Sequence, residues 1–289
     1  MKFWVGLPPL PADEGLKFAI RAEQVGFDGI AAADHATNPQ VIDTPYPYAA
    51  GQGGKRFGKG KILNAPFVMI GAMAAATTTL RFTTVVLVVP LRHPILLAKE
   101  IATAARIAGG RMDLGVGIGW MREEFEALGI DPKTRARRME EMLDIMQGLW
   151  RGEFVGSDTD LFDFAPNQVL PALDAPLPIL MGGHQEAPLR RTAKMADGWV
   201  SAPCDYEEIT RIVKLLGEYR REAGRDHLPF EVRMILSGRP DRAELDRLEE
   251  AGVTSVVVTP WIYTDQTESY TGLMDGLSRF GDTIQEWKA

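Results

Sequence analysis

Residues 81–120 read RFTTVVLVVPLRHPILLAKEIATAARIAGGRMDLGVGIGW, and this stretch decides the fold. Arg81 to Val88 is a β-branched run that reads as a buried strand. Pro94 then opens a helix at its first turn, Gly109-Gly110 closes it, and Met112 to Val116 supplies the next strand. Strand, helix and strand in that order make a parallel βαβ unit.

The same alternation continues in both directions. Phe3 to Leu7 and Asp28 to Ala32 read as strands on either side of a helix near Asp13 to Gln24. Leu16, Ala19 and Ile20 of that helix share a face, and Gly26 suits its C-terminal stop. A helix near Ala65 to Thr77 leads into the quoted stretch. Beyond it, a helix over Thr134 to Trp150 places Met139, Met142, Leu143, Met146 and Leu149 on one stripe, the pattern of a core face. Pro178 to Met181, Gly198 to Ser201, Phe230 to Leu236 and Thr254 to Val258 are further strands. Between them lie a helix near Ala187 to Met195, a helix capped by Asp205 with Glu208 three residues on, and a helix opened by Pro240 and ended by Gly252. Eight β/α units without a Pro/Gly linker between them predict an α/β fold: one (β/α)8 TIM barrel over residues 1–289, with insertion loops at its C-terminal face. A doubly wound sheet is the alternative, because periodicity does not prove closure.

Composition narrows the function. With 32 Lys+Arg against 39 Asp+Glu, a net charge of -7 gives no electrostatic drive toward nucleic acid. No apolar run approaches the roughly 20 residues needed to span a bilayer, and the N-terminus lacks a signal-peptide apolar region. Cys204 is the only cysteine, so no internal disulfide forms. These features predict a cytoplasmic protein with no nucleic-acid partner and no membrane.

Barrel chemistry sits at the carboxyl ends of the strands. After the second strand comes Asp34-His35, either a proton-handling pair facing a ligand or a turn cap beside a packed ring. After the fourth comes Gly117-Ile118-Gly119, where glycine lets a ligand approach backbone; the missing third glycine disfavours a dinucleotide fingerprint. After the fifth, Gly182-Gly183-His184 runs into a helix carrying Arg190 and Arg191, an arrangement suited to a phosphate, or else a plain turn. His35, His93 and His184 all follow strands, but no first-strand H-x-H pair or further ligand accompanies them, so no metal is expected. His93, between Pro90 and Pro94, reads as a turn residue. Two long stretches, Ala36 to Asn64 and Gly152 to Leu177, could both lie over the mouth and line a pocket with Tyr46, Tyr48, Phe57, Phe162 and Phe164. The cluster Lys55, Arg56, Lys59 and Lys61 is either a solvated loop tip or a clamp for an anionic ligand.

Leu80 to Pro94, Ala98-Lys99-Glu100, Gly110-Arg111, Gly115 to Trp120 with Glu123-Glu124-Phe125, Gly182-Gly183, Ala193 and Asp197-Gly198-Trp199 together closely resemble the bacterial-luciferase-like flavin-dependent oxidoreductases. The Asp34-His35 pair, the L-R-H-P turn at Leu91 to Pro94 and the length are most similar to the branch using the deazaflavin coenzyme F-420. The resemblance implies a barrel holding the cofactor ring across its mouth. Thr84, Val85 and Val86 would form a bulge under the ring, with a cis peptide at Val85-Val86. Gly117, Ile118 and Gly119 would lie beside the ring, and Gly182, Gly183 and His184 would give N–H groups to the phosphate. His35 would transfer the proton that accompanies hydride transfer, with Asp34 orienting it. Use of FMN instead would make the chain an oxygen-activating monooxygenase with a reductase partner, and a flavin-binding protein without catalysis is a third reading. The family also implies a small-molecule substrate and a homodimer. The acidic oligoglutamate tail of coenzyme F-420 would meet the basic cluster at Lys55 to Lys61.

Overall fold

The computed structural model describes residues 1–48, 62–263 and 269–288. The chain begins with β1 (Lys2–Gly6), α1 (Ala12–Gln24), β2 (Gly29–Ala32), α2 (Pro66–Ala75), β3 (Arg81–Thr84), β4 (Leu87–Val88), α3 (Pro94–Ala108) and β5 (Leu114–Gly117). It continues through α4 (Arg122–Ala127), α5 (Arg135–Trp150), β6 (Val155–Asp158), β7 (Asp163–Asn167), β8 (Ile179–Gly182), α6 (Glu186–Met195) and β9 (Gly198–Val200). It ends with α7 (Tyr206–Glu222), β10 (Glu231–Ile235), α8 (Arg242–Glu250), β11 (Ser255–Val258) and α9 (Tyr270–Lys288).

Nine strands share one sheet in the order β3-β2-β1-β11-β10-β9-β8-β5-β4, and every neighbouring pair is parallel. The two outer members, β3 and β4, are consecutive pieces of one chain segment. The expected strand over Arg81 to Val88 is therefore interrupted: β3 pairs with β2, β4 pairs with β5, and a Phe82–Met112 bridge joins the edges. The sheet thus closes on itself as an eight-position barrel, which excludes the doubly wound alternative. The interruption falls at Val85-Val86, whose peptide bond is cis.

Strand alternation divides the apolar residues into two cores. Phe3, Val5, Ile30, Phe82, Val116, Met181, Trp199 and Val256 pack outward against the helices, in the cluster that also takes the α5 methionines. Trp4, Ala31 and Val257 point inward, joined by Val85 and Ile235. At the opposite end of the barrel the buried Arg233 guanidinium lies 3.8 Å from the centre of the Trp4 ring. It donates to Asp113 Oδ1 and Oδ2 at 2.9 and 3.0 Å and to Glu231 at 2.6 Å, plugging the end away from the mouth with a satisfied charge network.

Most helix signals match their elements. Asp205 caps α7 through the Glu208 N–H at 2.8 Å. The helix expected to open at Pro240 begins instead at Arg242, where Asp241 accepts from the Glu244 N–H. The stretch Gly152 to Leu177 is irregular only in part, and it packs on the outer helices rather than over the mouth. It forms the antiparallel β6–β7 hairpin and clads the outer helices. Phe162 is buried under the Arg138 guanidinium and beside His93, Leu173 donates to the Trp150 carbonyl, and Arg106 of α3 pairs with Asp174. Its aromatic side chains are spent on that packing, so Phe162 and Phe164 do not line the mouth. Among the described residues no helix is long and apolar enough to cross a membrane.

Candidate active site

The third-strand interruption builds one side of the mouth. Val86 sits against the ends of two other strands: a Cβ placed on Gly117 would stand 2.7 Å from a Val86 methyl, and one on Gly182 would stand 3.4 Å from the other methyl. Glycine at Gly117 is therefore a packing requirement of the bulge. Val85 turns inward onto Trp4 and Ala31. Thr84 does not face the mouth, because its hydroxyl is buried and donates to the Gly115 carbonyl at 2.6 Å. Ile118 packs against the outer core, leaving only backbone of that turn beside the bulge, and Gly119 completes it at φ 76°.

Asp34 and His35 diverge. The Asp34 carboxylate accepts from Arg92 Nη2 at 2.7 Å on Oδ1, and from Arg92 Nη1 at 2.8 Å and the Val88 N–H at 2.9 Å on Oδ2. It thereby ties the β2 end to the chain just after the bulge. These bonds to Arg92 and Val88, not the orientation of His35 that the resemblance implied, are its role here. His35 Nδ1 lies 2.8 Å from Glu124 Oε2, and the other Glu124 oxygen accepts from the Ala36 and Thr37 N–H groups at 2.7 and 3.2 Å. Glu124 is only 2% exposed.

The neighbouring Glu123 accepts from the Asp43 and Thr44 N–H groups, both at 2.9 Å. Burial alone would raise its carboxyl, but these bonds and its own N–H hold it below the usual carboxylate range. The two glutamates of α4 thus fix the segment after β2. Its tyrosines join rings from other strand ends in a continuous line: Trp120 meets His35 at 6.2 Å and Tyr46 at 5.2 Å, and Tyr48 meets Tyr46 at 5.7 Å and His184 at 4.9 Å. Tyr46 and Tyr48 thus pack between Trp120 and His184. Burial, reinforced by Tyr46, raises the Tyr48 phenol above its ordinary range and keeps it a hydrogen-bond donor. The Lys55 to Lys61 cluster and Phe57 lie outside the described residues.

At the far end of this line Gly183 adopts φ 120°, and its carbonyl accepts from Trp199 Nε1 at 2.9 Å. A side chain there would strike Pro188 at 2.5 Å. The two arginines of α6 do not add charge to this turn. Arg190 pairs with Glu186 and Glu222 over the Tyr219 ring, and Arg191 pairs with Glu140. The His184 ring is a clamp: Nε2 accepts from the Ala202 N–H at 2.9 Å, which places the proton on Nδ1, 3.0 Å from Glu208. His184, Cys204 and Glu208 bring ligand atoms within 4.8 Å of one another. The ring has no nitrogen lone pair left for an ion, and burial, with Glu208 and Asp205, pushes the Cys204 thiol up to about 12. This cluster is a hydrogen-bonded brace between the β8 and β9 ends.

Sequence reasoning missed Glu124 and Arg92 as members of the site, although both lie in motifs it quoted. Neither shows a local signal, since each partner is more than fifty residues away.

A closed parallel barrel whose third strand breaks into a bulge beside glycine strand ends and a carboxylate-held histidine defines an α/β barrel with a candidate site at its mouth. The chain belongs to the luciferase-like monooxygenase family, whose model matches residues 4–270. It is 34% identical to an uncharacterized protein of Mycobacterium tuberculosis over 272 residues, 93% of each chain. It is 26% identical to a coenzyme F-420-dependent glucose-6-phosphate dehydrogenase of Beutenbergia cavernae, over 88% of this chain and 81% of that one. The fold matches the monooxygenase RslO1 of Streptomyces bottropensis with a TM-score of 0.76 at 17% identity over all of both chains. It also matches the coenzyme F-420-dependent tetrahydromethanopterin reductase of Methanopyrus kandleri, with a TM-score of 0.73 at 16% identity over 97% of each. The proteins it is similar to thus include both an F-420-dependent dehydrogenase and reductase and a monooxygenase.

Proposed function

We propose that this protein is a coenzyme F-420-dependent oxidoreductase acting on a small organic substrate at the barrel mouth. The observation that carries the reading is the Val85-Val86 bulge, resting on the bare strand ends Gly117 and Gly182 one strand away from His35. These residues fit a flat heteroaromatic ring with a phosphate arm. The ring's floor would be Val85, Val86 and the inward residues Ala31 and Val257. The Trp4 indole N–H is buried in that layer without a hydrogen-bond partner among the described residues. Backbone N–H groups at Gly182, Gly183 and His184, with the Tyr48 hydroxyl beside Gly183, would hold the phosphate.

Bound there, a deazaflavin supplies hydride chemistry at one ring carbon. The chain's own work is to exclude water with the Trp120–Tyr46–Tyr48 line, to orient the substrate against that wall, and to move a proton at the His35 ring. Asp34 contributes by fixing the bulge through Val88 and Arg92. The relatives named as F-420-dependent support this cofactor. The monooxygenase neighbours support a second reading, in which FMN occupies the same mouth.

Titration of the cofactor-free protein with coenzyme F-420 and with FMN, read by tryptophan fluorescence, tests the proposal. Micromolar binding of the deazaflavin with FMN at least tenfold weaker is expected. The reverse order favours the FMN reading, and binding of neither removes both.

A further inference from the structure

We infer that Glu124 is a positioning residue that sets the tautomer of His35, so that Nε2 is the ring nitrogen that gains or loses the mobile proton. This inference rests on the proton-transfer role proposed for His35. Glu124 Oε1 already accepts two backbone N–H groups, from Ala36 and Thr37, so the carboxylate is anchored in one orientation. Its Oε2 then faces His35 Nδ1 at 2.8 Å with only acceptor capacity to offer. The ring answers by carrying its proton on Nδ1, and a neutral imidazole protonated there is basic at Nε2. The Trp120 ring, edge to face with the imidazole, keeps it from tilting.

The arrangement has a second consequence. Glu124 sits on α4 four residues after Trp120. One short element therefore fixes the imidazole, the first wall of the mouth and the start of the segment that carries Tyr46 and Tyr48. The carboxylate is nearly solvent-free, so its bond to the ring is not exchanged for water.

Glutamine at this position tests the assignment sharply. Its carbonyl must take over the Ala36 and Thr37 N–H groups, which turns the amide NH2 toward Nδ1 and makes that nitrogen an acceptor. Glu124→Gln should therefore invert the tautomer. The readout is the 15N spectrum of histidine-labelled, cofactor-free protein at pH 8.5, with His35→Gln identifying the resonance. The parent should show a protonated Nδ1 and an unprotonated Nε2, and Glu124→Gln the reverse, with an unchanged circular dichroism spectrum. Glu124→Asp should restore the parent pattern at least in part. A parent with its proton on Nε2, or a pattern unmoved by Glu124→Gln, overturns the inference. If Glu124→Gln does not fold, Glu124→Asp and the parent decide it, a protonated Nδ1 in both being required. Because the spectra need no cofactor, failure of this inference is separable from failure of coenzyme F-420 to bind.

Discussion

Asp34 and Arg92 form a two-pronged ion pair beneath the rim of the mouth, with N–O distances of 2.7 and 2.8 Å and the Asp34 side chain 1% exposed. The third bond to Asp34, from the Val88 N–H, makes this pair the tie that holds the bulge in place. Removing the arginine would strand a buried carboxylate. Arg92→Gln is expected to cost about 2–3 kcal/mol in urea unfolding, below the full buried-pair penalty because Arg92 reaches solvent. Arg92→Lys should recover part of the loss but not the paired geometry. An Arg92→Gln protein as stable as the parent would show that the tie does not carry the bulge.

The contact between Val86 and Gly117 predicts a coupling. Gly117→Ala puts a methyl into Val86 and should cost about 1–3 kcal/mol of stability while weakening coenzyme F-420 binding at least tenfold. Val86→Ala makes room for that methyl. The double variant should regain most of the stability, and a double-mutant cycle with no interaction term would count against the contact.

Glu23 anchors the turn before β3. One oxygen accepts from the N–H groups of Thr78, Thr79 and Leu80 at 2.8, 2.6 and 2.9 Å. Burial opposes the charge, but these bonds outweigh it and hold the carboxyl at about 2, against an ordinary 4.5. A depressed carboxyl stabilises the fold above its unfolded value, and that contribution disappears as pH falls from about 4.5 to 2. Glu23→Gln should lower stability by about 1 kcal/mol at pH 7 and flatten the acid limb of a thermal-unfolding series. An acid limb of unchanged steepness would assign that loss to other carboxylates.

Burial holds the His184 imidazole below its ordinary range, against the opposing pull of Glu208. A depressed histidine favours the folded state while neutral, so its contribution is lost as pH falls below about 6.5, where the unfolded chain takes up the proton first. Protonation would also end acceptance from the Ala202 N–H and loosen the brace beside Gly183. His184→Gln should therefore be less stable at pH 8 and less pH-dependent between 7.5 and 5.5, measured by urea midpoint. A variant with the parent's slope would place the transition elsewhere.

Much of this architecture was legible from residues 81–120 and their repeats, because helix and strand periods, caps and glycine stops are local properties. The α5 methionine stripe and the Asp205 cap are of that kind. The Gly152 to Leu177 stretch misled because a short hairpin with only partly buried strands has no strong alternation, and nothing local tells a cover for the mouth from cladding on helices. Asp34-His35 misled differently: adjacency in sequence suggested a working pair, whereas residues next to each other at a strand end point apart.

The sequence by itself determined the order of the eight barrel strands and of seven helices between them, the parallel sheet and the strand ends at which glycine and histidine would gather. Tertiary structure alone decided that the sheet closes through a broken third strand, that Asp34 belongs to Arg92 and that His35 belongs to Glu124. Those choices depend on side chains fifty to ninety residues apart meeting in a buried space where every charge must find a partner, and no local pattern encodes which partner that will be.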